Sequence, residues 1–255
     1  MIFKNTLKAI APVIVILMMS ILACQTPSKI SNQNLSYSYR KSENILHPQY
    51  TVQHTNAQTS MLHFSISTSE LLYVRSGESK TFTARVALTY RLLTSYDSKQ
   101  AIDTGSVLVI DKEYSDKPSL LVAKTEFKAI YPNNYVLEVI VQDLNRNISS
   151  KSVINIYKSS FQTAQNFLLT DTNYNQPIFR NTLLKEETVN LHYTGGIKNN
   201  KLFVRYYNRQ FPLPAPAFST FTPKPFDYVA DSIFTINIDT LGKARLHFEN
   251  LGFYH

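Results

Sequence analysis

The side chains able to do chemistry are few and far apart. Asp143, Asn145 and Asn147, and later Asp171, Asn173 and Asn175, set oxygen donors at alternate positions. Hard oxygen ligands at that spacing open a calcium-binding loop. Such a loop needs glycine at its sixth position and glutamate at its twelfth. Here those positions hold Ile148 and Ile154 in the first triplet, and Gln176 and Thr182 in the second. Asp and Asn also make tight turns, because they tolerate left-handed backbone. Turns are therefore expected at both; a weak calcium site between domains is the alternative at the second. The six histidines, His47, His54, His63, His192, His247 and His255, are scattered and form no zinc-binding pair. His63 and His247 fall on the polar faces of predicted strands and should be solvated. There is no Gly-x-Ser-x-Gly elbow and no His-Glu-x-x-His. A triad assembled in space would leave no such motif. The expectation is nonetheless a non-enzyme, with no catalytic residue, no cofactor and no metal.

The one thiol is at Cys24, behind Ile21-Leu22-Ala23. Lys4 and Lys8 precede an almost unbroken apolar run from Ala9 to Ala23, the pattern of a secretory signal. The run is shorter than the ~20 apolar residues of a membrane span. Its Ile-x-Ala-Cys ending, of the [LVI]-x-[GA]-Cys type, resembles the lipobox of bacterial lipoproteins. That resemblance implies cleavage before Cys24 and lipid modification of the new N-terminal cysteine by acyl chains such as palmitate. Past Cys24 there is no further cysteine, so the exported part has no disulfide and no thiol nucleophile. It must be held together by its own core.

Composition fits a folded exported protein. Residues are 44% hydrophobic and only 17% charged, which excludes a disordered chain. With 16 Tyr, 15 Phe and no Trp, the apolar set leans to aromatic and β-branched types, which favour strands. Removing Lys4 and Lys8 with the signal takes two from the formal charge of +8, leaving +6. No dense Lys/Arg block accompanies that charge, so no nucleic-acid partner is expected. Weak attraction to anionic headgroups or acidic glycans suits it better.

These residues need strands to carry them. Residues 24–60 are polar and rich in Ser, Asn, Gln and Thr, as a tether is, with Tyr50 to His54 as one short strand within it. From Met61 the period becomes two. Leu62, Phe64 and Ile66 alternate with His63, Ser65 and Ser67. Over Thr81 to Leu92, Phe82, Ala84, Val86, Leu88, Tyr90 and Leu92 share the core face. Strands are also predicted at Ser106–Ile110, Leu120–Ile130, Tyr135–Gln142 and Ser152–Tyr157, the last two joined as a hairpin through Asp143 to Asn147. Tyr135, opening a penultimate strand, resembles the tyrosine corner of immunoglobulin-like sandwiches, with an ordinary core tyrosine as the alternative.

A break at Ser159 to Thr170 separates a second β unit. Its strands are expected at Thr188–Tyr193 and Leu202–Phe211, and in a hairpin through Thr240-Leu-Gly242. The reading is all-β: two tandem immunoglobulin-like β-sandwich domains at 61–160 and 161–255, behind a signal peptide at 1–23 and a lipidated, polar tether at 24–60. The chain stops directly after an apolar strand, so the second domain is expected to be one strand short. Tyr206 to Phe226 holds five prolines among its aromatics, which rules out a central strand. The stretch reads as a long extended loop whose Phe side chains cap the second core. The alternative is an interface, since exposed aromatics with Arg suit binding hot spots, and Arg205, Tyr206, Tyr207, Arg209, Phe211, Phe218, Phe221 and Phe226 form that candidate interaction segment.

Two runs carry a family resemblance: "AIYPNNYVLEVIVQDLNRNISSKSVINIYKSS" at 129–160 and "NLHYTGGIKNNKLFVRYYNRQFPLPAPAFSTFTPKPFDYVADSIF" at 190–234. Together they resemble the N-terminal β-rich half of the GWxTD-domain lipoproteins of Bacteroidota. The chain has no Trp, so the Gly-Trp-x-Thr-Asp motif itself is absent. The resemblance implies an address and an architecture. The expected protein is a non-catalytic binding or scaffold module in the cell envelope, held to the membrane through Cys24 and presenting surfaces to envelope proteins. Residues 25–29 lack an acidic cluster, which favours the periplasmic face of the outer membrane over the cell surface. The rivals are a glycan-binding module and the accessory N-terminal half of a larger envelope enzyme.

Overall fold

Alternating apolar and polar residues fold into strands throughout the described chain. The computed structural model describes residues 46–75, 81–112, 117–196, 201–208 and 227–255. Within these it has fourteen strands: β1 Gln49–His54, β2 Ser60–Ser67, β3 Val74–Arg75, β4 Phe82–Leu93, β5 Asp103–Asp111, β6 Leu120–Phe127, β7 Asn133–Asp143, β8 Ile148–Lys158, β9 Phe167–Asp171, β10 Thr188–Tyr193, β11 Lys201–Tyr207, β12 Ser232–Asn237, β13 Lys243–His247 and β14 Phe253–Tyr254. All pairings are antiparallel. No α-helix occurs among the described residues, only two short 3-10 turns. The protein is all-β and built as sandwiches.

In the first module, β1, β2 and β6 form one sheet. The facing sheet runs β3-β4-β7-β8, with β5 also on β4. Leu62, Phe64 and Ile66 meet Ala84, Val86, Leu88, Leu137, Val139 and Val141 between the sheets. Each comes from alternate positions of its strand, because only one face of a strand meets the opposite sheet. Tyr135 opens β7 and is nearly buried. Its hydroxyl donates to the Ile130 carbonyl at 2.8 Å and accepts from the Ile130 N–H at 3.1 Å. That is the expected corner, tying the loop to the strand it feeds.

The alternation misleads at two places. Phe82, read as core, is 39% exposed at the frayed start of β4, with the Arg75 guanidinium 4.8 Å from its ring centre. His63, read as solvated, is 7% exposed. The tether boundary at 60 also shifts. Leu46 and Val52 belong to the first core, and β1 pairs along the whole of Gln49 to His54 with β2. The strand itself was legible at Tyr50 to His54; polar composition hid that it belongs to the first module, because an edge strand needs few apolar residues to be held by its backbone.

The second module repeats the plan. One sheet is β9-β10-β13 and the other β12-β11-β14. Val189, Leu191 and Leu246 form its small buried centre, with Leu202 and Ile236 packed on it from the facing sheet. β9 lies inside the predicted break, where its five residues pair with β10.

Candidate functional site

β11 carries the part of the candidate interaction segment that the structure describes. Its sequence, KLFVRYY, alternates: Leu202 and Val204 turn toward the second core, Phe203 and Arg205 outward. Phe203 is 72% exposed, and Ile233, opposite Arg205, is exposed beside it. Tyr206 and Tyr207 are engaged within the module. The Tyr206 hydroxyl donates to the Leu251 carbonyl at 2.8 Å, and its ring lies 4.9 Å from that of Tyr254. Tyr207 is buried, its ring 5.8 Å from Phe253. Arg205 is the one of the three whose side chain faces solvent. Arg209, Phe211, Phe218, Phe221, Phe226 and the lipidation candidate Cys24 lie outside the described residues.

A second site, at the join of the two modules, gave no sequence signal. His54 ends β1, Ser60 opens β2 and Lys158 ends β8, and all three are buried. The His54 Nε2 donates to the Tyr157 carbonyl, so its Nδ1 accepts from the Ser60 hydroxyl, both at 2.9 Å. Lys158 Nζ donates to the Thr59 carbonyl at 2.6 Å and to Ser60 Oγ at 3.1 Å. Burial pushes the Lys158 ammonium down to about 8. Burial also lowers His54, and the nearby Lys158 adds to the effect against the bond to Tyr157. A cavity of about 110 Å³ adjoins this cluster, lined by His54, Tyr131, Lys158, Phe161, Asn166 and Thr194 among others. The rings of Tyr131 and Phe161 stack at 4.3 Å beside it. The Thr194 hydroxyl lies within hydrogen-bond distance of the carbonyls of His54 and Asn166, linking the second module to the first.

This cluster can hold the join; its serine is not placed to react. Ser60 is completely buried, and its oxygen already serves both His54 and Lys158. No one strand pattern pointed to it, since its members are more than 100 residues apart and meet only through the fold.

Both Asp-x-Asn-x-Asn triplets are turns. The buried Asp143 carboxylate accepts from the N–H groups of Asn145, Arg146 and, across the sandwich end, Leu72. Asn145 Nδ2 returns bonds to the carbonyls of Leu72 and Thr83, each at 2.8 Å. Asp171 likewise accepts from the N–H groups of Asn173, Tyr174 and Gln176. Asn147 and Asn175 hold φ of 57° and 55°, the left-handed backbone that Asn tolerates. The two Asp carboxylates are turned onto backbone donors, and the Asn147 and Asn175 side-chain oxygens accept from the Gln142 amide and the Thr170 hydroxyl, each at 2.8 Å.

No protein family matches the sequence, and no curated protein matches it. Two solved structures overlap it in part. One is a glycosyl hydrolase family 2 member from Bacteroides cellulosilyticus, 14% identical, with a TM-score of 0.28 over 44% of this chain and 14% of that one. The other is beta-glucuronidase 2 from Bacteroides uniformis, covalently bound to cyclophellitol-6-carboxylate aziridine. It is 11% identical, with a TM-score of 0.26 over 43% of this chain and 13% of that one. The chain thus spans about one seventh of either hydrolase. Overlaps this small assign it neither an activity nor a substrate.

Proposed function

We propose that the protein is a lipid-anchored, non-catalytic binding or scaffold module of the cell envelope, facing the periplasm from the outer membrane. The observation that carries this reading is Cys24, the only cysteine, placed directly after the apolar run Ala9 to Ala23 with Lys4 and Lys8 ahead of it. Acyl chains on that cysteine would hold the chain at the bilayer; a single chain gives only marginal binding, so firm retention needs more than one. Two sandwich modules joined by a polar cluster suit a body that presents edges and loops to other envelope proteins. The buried state of Ser60 and the backbone-directed oxygens of Asp143 and Asp171 fit a binding role better than a catalytic one.

The test is fractionation of cells producing the full chain. Cys24→Ser should move the protein from the membrane pellet to the soluble fraction, and metabolic labelling with a palmitate analogue should mark the native chain only. A variant that still pellets with membranes, or a native chain that takes no label, would sink the anchoring.

A further inference from the structure

β5 lies at the edge of the larger sheet in the first module. β4 has β7 on one side and β5, with the short β3 beyond its end, on the other. No strand lies past β5 among the described residues. Backbone groups along an antiparallel strand point alternately to either side. The Arg85 carbonyl accepts from the Leu144 N–H on the β7 side, and the Leu92 carbonyl accepts from the Ile102 N–H on the β5 side, at 2.9 and 2.7 Å. Even-numbered residues of β4 therefore bond β5, where they face Asp103, Gly105, Val107, Val109 and Asp111. Thr104, Ser106, Leu108 and Ile110 turn their N–H and C=O groups to the free side. None of the four has a hydrogen-bond partner there among the described residues. Their side chains are all exposed, Leu108 and Ile110 by about half.

An edge that stays single is commonly blunted by a charge, a proline or a cover. β8, the opposite edge of the same sheet, has two of these. Lys151 projects from the middle of the strand, and the Gln165 side chain bonds the backbone of Asn155 and Tyr157, each at 2.8 Å. β5 has none of them. From Thr104 to Ile110 it is uncharged and free of proline, and its register with β4 runs without a bulge.

We propose that the β5 edge is a self-pairing surface. It takes β5 of a second copy of this chain, antiparallel, with Ser106 facing Ser106 across a two-fold axis, so that one sheet runs through both copies. The register follows from charge. A pair centred on Val107 would set Asp103 of each copy against Asp111 of the other, and like charges directly opposite are unfavourable. Centred on Leu108, it would set Thr104 against Lys112 and Ile110 against Ser106. Centred on Ser106, it sets Ile110 against Ile102, both exposed in the single chain, and Leu108 against Thr104. Asp103 then meets Val109, Asp111 meets Ala101, and no like charges face each other. A neutral edge gives a foreign strand no charge to be selected by, whereas a two-fold pair needs only a strand that complements itself.

The inference goes beyond the anchoring at Cys24 and stands without it. Its test reads the edge alone. The full chain in detergent would be followed by analytical ultracentrifugation over a concentration series, with amide exchange read by mass spectrometry. The expected result is a monomer–dimer equilibrium in which exchange of residues 104–110 slows at least tenfold in the dimer. Ser106→Lys and Ser106→Asp each set like charges on the axis, and each should raise the dissociation constant at least tenfold. Ser106 is exposed, so both variants should fold, and circular dichroism checks that they do. Mixed one to one, they set Lys against Asp and should pair again. A chain that stays monomeric at every concentration overturns the proposal. A dimer indifferent to both charges does so too, since its interface lies elsewhere. Weakening by each charge without recovery in the mixture overturns the two-fold register. Slow exchange of residues 104–110 in the dilute monomer means that the chain covers its own edge. Exchange that slows only when envelope extract is added gives the edge to a foreign strand. Either result overturns the second copy.

Discussion

His63 lies in the middle of β2 on the side away from Leu62 and Phe64, yet it is buried and its Nε2 has no hydrogen-bond partner. Thr51 and Lys124 stand opposite it on the two neighbouring strands. Burial, and secondarily the Lys124 charge, push its imidazole down to about 4. The unfolded chain takes up this proton near pH 6.5, and the folded one only near 4. Between those values the unfolded state binds more protons, so stability is full above about 6.5 and is lost as the pH falls toward 4. His63→Leu should recover on the order of 2 kcal/mol of the loss between pH 7 and 4.5, after a discount for solvent screening. Urea midpoints at the two pH values measure it. His54 and His192 are also lowered by burial, so a reduced slope is expected, not a flat one. An unchanged slope in the variant would exclude His63 as a source. Alternation placed this side chain on a polar face because the period reports direction alone. β2 is flanked on both sides by strands, and neighbours screen even its outward side chains. The Asp143 and Asp171 turns, by contrast, were legible, since the missing glycine and glutamate already spoke against an ion.

At the scale of the element, strands with a clear alternation could be read, short ones such as β10, β12 and β13 included, while β9 could not. β4 and the β7–β8 hairpin have ten or more residues each, and their period survives one misplaced residue such as Phe82. β1 and β9 have six and five residues, and partners in the ladder secure them more than their own apolar content does. The Tyr135 corner was legible from one residue at a strand start. Its worth can be measured. Tyr135→Phe keeps the ring in the core but leaves the Ile130 N–H and C=O without the hydroxyl that serves both. Ile130 is exposed and these bonds are only part-buried, so losing them should cost about 1 kcal/mol, the low end for unsatisfied backbone groups. A shift in chemical denaturation of that size, with an unchanged m-value, is expected. A change below about 0.3 kcal/mol would mean that water replaces the hydroxyl and the corner does not hold the loop. At the candidate site, the sequence pointed to β11 through its Arg and aromatics. It could not separate outward Phe203 and Arg205 from the internally bonded Tyr206 and Tyr207, because those bonds run to residues 251–254.

The whole molecule is unequal. Among the described residues, the buried apolar cluster of the first module has eighteen members and that of the second has three, with Leu168, Tyr207 and Ile238 buried outside it. Burial of apolar area is the main favourable term in folding, so the second module should be much the weaker. What steadies it is the join. Thr194 reaches the His54 and Asn166 carbonyls, and the Gln165 side chain bonds the backbone of Asn155 and Tyr157 along the edge of β8. A few polar bonds are worth a few kcal/mol at most, which is too little to merge two modules of such different cores into one transition. Amide exchange followed by mass spectrometry through a urea series should show residues 188–207 opening at lower urea than residues 82–93 and 133–143. Thr194→Val should lower the first step further and leave the second in place. Exchange of both regions at one urea concentration would show that the join transmits stability more strongly than its bonds suggest.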